Sequence, residues 1–69
     1  MDRHPVVSSF ISYVGWEDRE LEVGFTNGEV WIYFGVPKAV FEVLIQAEST
    51  GKAFHQYVKD AFYAGRKIE

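Results

Sequence analysis

Asn27-Gly28 stands between two stretches in which apolar and polar side chains alternate, LEVGFT (21–26) and EVWIYF (29–34). An Asn-Gly pair in that setting is the strongest short-range hairpin signal, because two-residue hairpin turns need positive φ at their central positions. A two-residue turn here sets Thr26 opposite Glu29, Phe25 opposite Val30, Gly24 opposite Trp31, Val23 opposite Ile32, Glu22 opposite Tyr33 and Leu21 opposite Phe34. Leu21, Val23, Phe25, Val30, Ile32 and Phe34 then share one apolar face, the predicted core side. Trp31 and Tyr33 fall on the opposite face, among Glu22, Thr26 and Glu29, with Trp31 placed to cover Gly24.

The rest of the chain arranges itself around that hairpin. Residues 1–7 are polar, contain His4-Pro5 and read as a flexible lead-in to a single domain over 8–69. SSFISYVGW (8–16) is rich in strand formers, and the acidic EDRE after it reads as a turn. Ile11, Val14 and Trp16 do not share one parity, so a bulge between 11 and 14 is needed to bring all three to the core. Gly35-Val36-Pro37 ends the sheet, with Pro37 suited to the first position of a helix. PKAVFEVLIQAES carries apolar residues at 40, 41, 44 and 47, one stripe of that helix. Ser49 or Thr50 is placed to cap a second helix, GKAFHQYVKDAFYAG, whose Phe54, Tyr57, Val58, Ala61 and Phe62 follow helical spacing. Gly65 is expected to end it, with Arg66 and Lys67 at its carbonyl end. The predicted fold is α+β: a three-stranded antiparallel β-meander followed by two α-helices packed on one face, in the order β-β-β-α-α.

Sixty-nine residues allow one small core, and a chain of that size buries only about 60% of the surface it exposes when unfolded. The 17% of aromatic residues is an economical way to fill such a core. With no cysteine, neither a disulfide nor a thiolate metal site is available. The N-terminal segment lacks the charged-then-apolar pattern of a secretion signal, and no stretch approaches the roughly 20 apolar residues of a membrane span. These features lead to the expectation of a cytoplasmic protein with no membrane partner. Charge is uneven: residues 1–48 hold three Lys or Arg against eight Asp or Glu, whereas residues 49–69 hold four against two. An anion would be met by the C-terminal third.

SSFISYVGWE, LEVGFTNGEVWIYFGVP and STGKAFHQYVKDAF together resemble the KTSC domain, over roughly Ser8 to Lys67. That short module is named after the C-terminus of some lysyl-tRNA synthetases and also occurs as a free-standing bacterial protein. Its central aromatic-X-aromatic motif stands here as Trp31-Ile32-Tyr33, followed by Gly35-Val36-Pro37 and by Ser49, Gly51 and Phe54. Where the family often carries Asn, this chain has Phe10 and His55. The resemblance implies a role in RNA binding.

The residues themselves point the same way by a different route. Trp31 and Tyr33, two apart on a strand, present rings on one side of a sheet, as platforms for unpaired bases do. Lys52, Lys59, Arg66 and Lys67 are the candidate phosphate contacts, with His55 beside them, and Gly51-Lys52 offers helix-start N–H groups. The alternative use of the same aromatic pair is a protein interface or homodimer, which the acidic first two thirds suit. Ser49-Thr50-Gly51-Lys52 lacks the earlier glycine of a phosphate-binding loop. His55 has no neighbouring Cys, His or carboxylate cluster to complete a metal set, and Ser8, Ser9, Ser12 and Ser49 have no evident His-Asp partners. A non-catalytic binding module without cofactor is the expectation.

Overall fold

The computed structural model describes all 69 residues. It is an α+β fold whose sheet has five strands in chain order, every neighbouring pair antiparallel. The strands are β1 (Arg3–Pro5), β2 (Ile11–Glu17), β3 (Glu20–Phe25), β4 (Val30–Phe34) and β5 (Gly65–Lys67). Between β4 and β5 come α1 (Lys38–Gln46), α2 (Thr50–Phe54) and a π-helical turn over His55–Lys59. The three expected strands are present as β2, β3 and β4. The two additional ones, β1 and β5, are three residues each and wholly exposed, so no hydrophobic alternation announced them.

Residues 3–5 are therefore a strand on the edge of the sheet rather than loose lead-in. At the other end, the second helix stops well before Gly65. Regular α geometry lasts only to Phe54, and the wider π turn that follows is closed by Asp60 N–H donating to the His55 carbonyl. Val58 stays inside, whereas Ala61 and Phe62 are exposed instead of continuing the apolar stripe. Arg66 and Lys67 thus lie on β5 beside β4, not at a helix terminus.

The tight turn of the sheet is not at Asn27-Gly28 but at Asp18-Arg19, both with positive φ, 50° and 64°, between Glu17 and Glu20, which pair. At Asn27-Gly28 the loop takes one residue more. Phe25 N–H donates to the Glu29 carbonyl at 2.8 Å, Gly28 N–H donates back to the Phe25 carbonyl at 3.1 Å, and Gly28 occupies φ 93°. This is a turn closed by a left-handed glycine, open to few other residues. The extra residue shifts the pairing by one, so Val23 faces Trp31, Gly24 faces Val30 and Leu21 faces Tyr33. A shift of one turns every β4 side chain to the other side.

The helix-facing core accordingly joins Leu21 and Val23 with Tyr33, not with Ile32 and Phe34, and adds Ile11, Val14, Val36, Phe41, Leu44, Ala53, Phe54 and Val58. A bulge between Ile11 and Tyr13 brings Ile11, Val14 and Trp16 to that side, as their spacing requires. Trp16 lies at the core margin and donates its indole N–H to the Val36 carbonyl at 2.8 Å. Pro37 is the N-cap of α1 rather than its first helical residue. Ser49 caps α2 by accepting from Lys52 N–H at 3.3 Å, while the buried Thr50 hydroxyl donates to the Leu44 carbonyl.

On the other face of the sheet the register places Glu22, only 9% exposed, next to Ile32. A carboxylate there needs partners. Tyr13 supplies its hydroxyl at 2.8 Å and Arg3 its Nε at 3.0 Å, both to Glu22 Oε2, and the guanidinium sits 4.6 Å from the centre of the Tyr13 ring. It is Tyr13, not Trp31, that covers Gly24, and a Cβ on Gly24 would overlap the Tyr13 ring.

Two outcomes follow. Gly24→Ala should lower stability by about 1–3 kcal/mol, read from the urea midpoint, because Tyr13 must leave its position. Burial, reinforced by the bond to Glu22, pushes the Tyr13 phenol up to about 12 from 10.0. A raised phenol contributes stability that is complete below its unfolded value and is lost as pH climbs through the folded one. Alkaline titration followed by circular dichroism should show stability declining between those two values, with a shallower decline in Tyr13→Phe.

Candidate binding cleft

Trp31 and Tyr33 face the helices, not the free side of the sheet, and this changes what they offer. Their rings are nearly parallel, 18° apart with centroids at 6.2 Å, and lie along the strand rather than forming two open platforms. Gly65 on β5 makes room for them: a Cβ there would stand 2.7 Å from Tyr33 Cε1 and 3.4 Å from Trp31 Cε3. Tyr33 is 5% exposed and meets Phe54 edge to face at 5.7 Å. Trp31 is half-buried at the margin of the core.

Beside this pair the helical layer leaves the sheet uncovered, and an open cleft of about 310 Å³ results, lined by Phe10, Phe25, Trp31, Tyr33, Lys59 and, from the β3–β4 loop, Thr26, Asn27 and Glu29. Its aromatic walls continue the core. Phe54, 2% exposed, packs edge to face against Phe10, Phe25 and Tyr33 with centroids 5.7–6.3 Å apart. Phe10 is held by Ser8, whose Oγ accepts from the N–H groups of Phe10 and Ile11, both at 3.3 Å. Lys59 reaches the rim from the end of the π-helical turn.

The polar groups at the mouth are largely committed. Trp31 Nε1 donates to Glu29 Oε1 at 3.0 Å, and Lys67 Nζ lies 3.8 Å from Glu29 Oε2. The indole bond first, and then the Lys67 charge, hold the Glu29 carboxyl below its usual range against the opposing effect of desolvation. Asn27 Oδ1 accepts from Glu29 N–H. The Tyr33 hydroxyl has no protein partner, and since no buried side-chain polar atom is left unpaired, it opens to solvent. Burial raises its phenol pKa.

Of the residues expected at a site, the structure gathers Trp31, Tyr33 and Lys59 around the cleft, with Lys67 bound to its rim carboxylate. His55 does not line the cleft and packs against the Phe10 ring, centroids 5.6 Å apart. Lys52 lies elsewhere, in a shallow groove with Val43, Ala47 and Tyr57, and its N–H is taken by the Ser49 cap. Arg66 pairs with Ile32, which puts it on the opposite face of the sheet from Trp31 and Lys67. Phe10, Phe25 and Glu29 are further walls and rim, and no sequence pattern marks them as a site. Phe10 precedes the β2 bulge and Phe25 reads as core, so neither carries a pattern that separates a wall from an interior residue. No group of three or more His, Cys, Asp and Glu side chains is assembled for a metal, and no helix is long and apolar enough to cross a membrane.

In a Trp16→Phe protein, first shown folded by circular dichroism, Trp31 alone reports on the rim. Its emission should change on acidification with a midpoint below 4.5 as Glu29 takes a proton, and Glu29→Gln should remove the transition.

Comparison with known proteins gives a consistent picture. The family model described as the KTSC domain matches residues 7–63. A protein of Tsukamurella paurometabola is 42% identical over 62 residues, spanning 87% of this chain and 92% of the relative. An uncharacterized protein of Stutzerimonas stutzeri is 32% identical over 71 residues and covers both chains in full. The crystal structure of a KTSC domain protein from Yersinia pestis superposes with a TM-score of 0.88 at 34% identity, covering 99% of this chain and 97% of the other.

Proposed function

This chain belongs to the KTSC domain family, and from that premise we propose that it is a non-catalytic binding module, cytoplasmic, whose cleft accepts one unpaired base of RNA or another single-stranded nucleic acid. The observation that carries this reading is the open aromatic cleft beside Trp31, walled by Phe10, Phe25 and Tyr33, with a lysine on its rim. A flat, weakly polar ring is the group that such walls receive, and stacking on an aromatic side chain contributes roughly 1–3 kcal/mol per base.

The residues divide the work. Trp31 supplies the exposed ring face, and the Tyr33 hydroxyl and Asn27 amide stand where a base presents its hydrogen-bonding edge. Lys59 is the phosphate contact nearest the rings. Lys67 acts indirectly, by offsetting the negative charge of Glu29 beside the cleft. Lys52 and Arg66, which lie away from the cleft, have no part. The walls are already packed against Phe54, so binding orders few side chains.

Titrating short single-stranded RNA into the Trp16→Phe protein should quench Trp31 saturably, and the affinity should fall with salt. Trp31→Ala should weaken binding roughly 5- to 150-fold, measured by anisotropy of labelled RNA. Lys59→Gln should reduce the salt slope by about one, whereas Lys52→Gln and Arg66→Gln should leave the affinity unchanged. A flat titration of the unmodified protein at low salt would overturn the reading.

A further inference from the structure

Besides its rings, the cleft is lined by Asn27 and Glu29, and contacts already made settle which of their polar atoms remain for a ligand. Asn27 Oδ1 accepts from Glu29 N–H at 3.0 Å, so the oxygen is engaged and the amide NH₂ is the end left to donate. Glu29 Oε1 accepts from the Trp31 indole at 3.0 Å, and Oε2 lies 3.8 Å from Lys67 Nζ. Both contacts favour the ionised carboxylate, and together they hold its pKa below the usual value. An ionised carboxylate only accepts, with about two lone-pair directions on each oxygen. The indole takes one on Oε1 and Lys67 one on Oε2, so each oxygen keeps one. The side chain is 38% exposed, and a ligand in the cleft can reach it.

An indole N–H donates in the plane of its ring. Glu29 therefore stands off the edge of Trp31 and not over its face. The face stays free for stacking, and the carboxylate lies beside the edge of whatever stacks there.

Asn27 and Glu29 thus offer a pair of acceptors next to a donor, and the four bases of RNA answer such a set differently. Guanine alone carries two neighbouring donors, N1–H and the N2 amino group, flanked by an acceptor, O6. Adenine and cytosine each present one amino donor beside a ring nitrogen that accepts, and uracil presents one N–H between two carbonyls. Against a carboxylate those accepting atoms set lone pair against lone pair and leave polar groups unpaired, which weakens binding. Resting on the reading of this cleft as a base site, we propose that it selects guanine, with Glu29 receiving N1–H and the N2 amino group and the Asn27 amide donating to O6. A carboxylate opposes approaching phosphates, and Lys67 offsets part of that charge while leaving the acceptor atoms in place.

The test uses the full chain and short labelled RNA strands in which every position except the centre is abasic, so that one base at a time is offered. Anisotropy at low salt should rank guanine roughly 5- to 150-fold tighter than adenine, cytosine or uracil. Hypoxanthine, which keeps N1–H and O6 but lacks the amino group, should fall between, and it probes the second acceptor without altering the protein. Glu29→Gln, shown folded by circular dichroism, exchanges one acceptor for a donor and removes the charge. It should bring guanine down to the level of the other bases, while those bind as well as before or better. Were Glu29 only a support for the Trp31 ring, the variant would weaken every base alike, and that result defeats the proposal. Equal affinity for all four bases, or preference for another one, defeats it too, while leaving base stacking in the cleft intact. If no strand binds, stacking itself fails and the preference falls with it.

Discussion

Gly28 at φ 93° closes the β3–β4 connection with one residue more than a two-residue turn uses, and the whole arrangement depends on that closure. It sets Val23 against Trp31, which sends Tyr33 beneath Phe54 and leaves Trp31 at the edge of the helical layer. It also turns Val30 and Ile32 to the far side, beside Glu22. A carboxylate 9% exposed next to an isoleucine would be costly alone. Arg3 and Tyr13 meet that cost, and so the N-terminal strand is held to the sheet partly through a carboxylate on β3.

The cleft is the open end of the core rather than a separate construction. Phe54 touches Phe10, Phe25 and Tyr33, three of its walls, at ring distances that favour edge-to-face packing. Its shape is fixed before anything enters, which suits a small domain with little conformational energy to spend on binding. The π-helical turn contributes at the rim. By widening the helix after Phe54 it keeps Val58 inside and carries Lys59 to the cleft. It also ends the helix early, which leaves Phe62 outside and returns the chain to the sheet as β5.

Charge is distributed more subtly than a basic C-terminal third suggests. Lys52, Lys59, Arg66 and Lys67 are close in sequence, yet only Lys59 lines the cleft. Lys67 is tied to Glu29, whose other oxygen holds the Trp31 indole in place. That chain of contacts orients the one exposed ring of the aromatic motif, so the carboxylate beside the cleft fixes a wall rather than simply opposing an anion.

Strand β3 was legible because LEVGFT is apolar on one parity only, and β2 because Ile11, Val14 and Trp16 cannot reach one side without a bulge. The helical stripe at 40, 41, 44 and 47 and the Ser49 cap were legible for similar local reasons. The face on which Trp31 and Tyr33 lie was not. VWIYF is apolar on both parities, so its pattern fits either register, and the choice rests on the backbone angle of one glycine. Likewise β1 and β5 are exposed and polar, and they exist through pairing with distant strands that no local period encodes. The sequence by itself determined an α+β chain, its central strands and an aromatic-X-aromatic motif, since these follow from local periodicity and turn chemistry. Only the tertiary structure decided the register, the two edge strands and hence the cleft, because those depend on hydrogen bonds and packing between segments far apart in the chain.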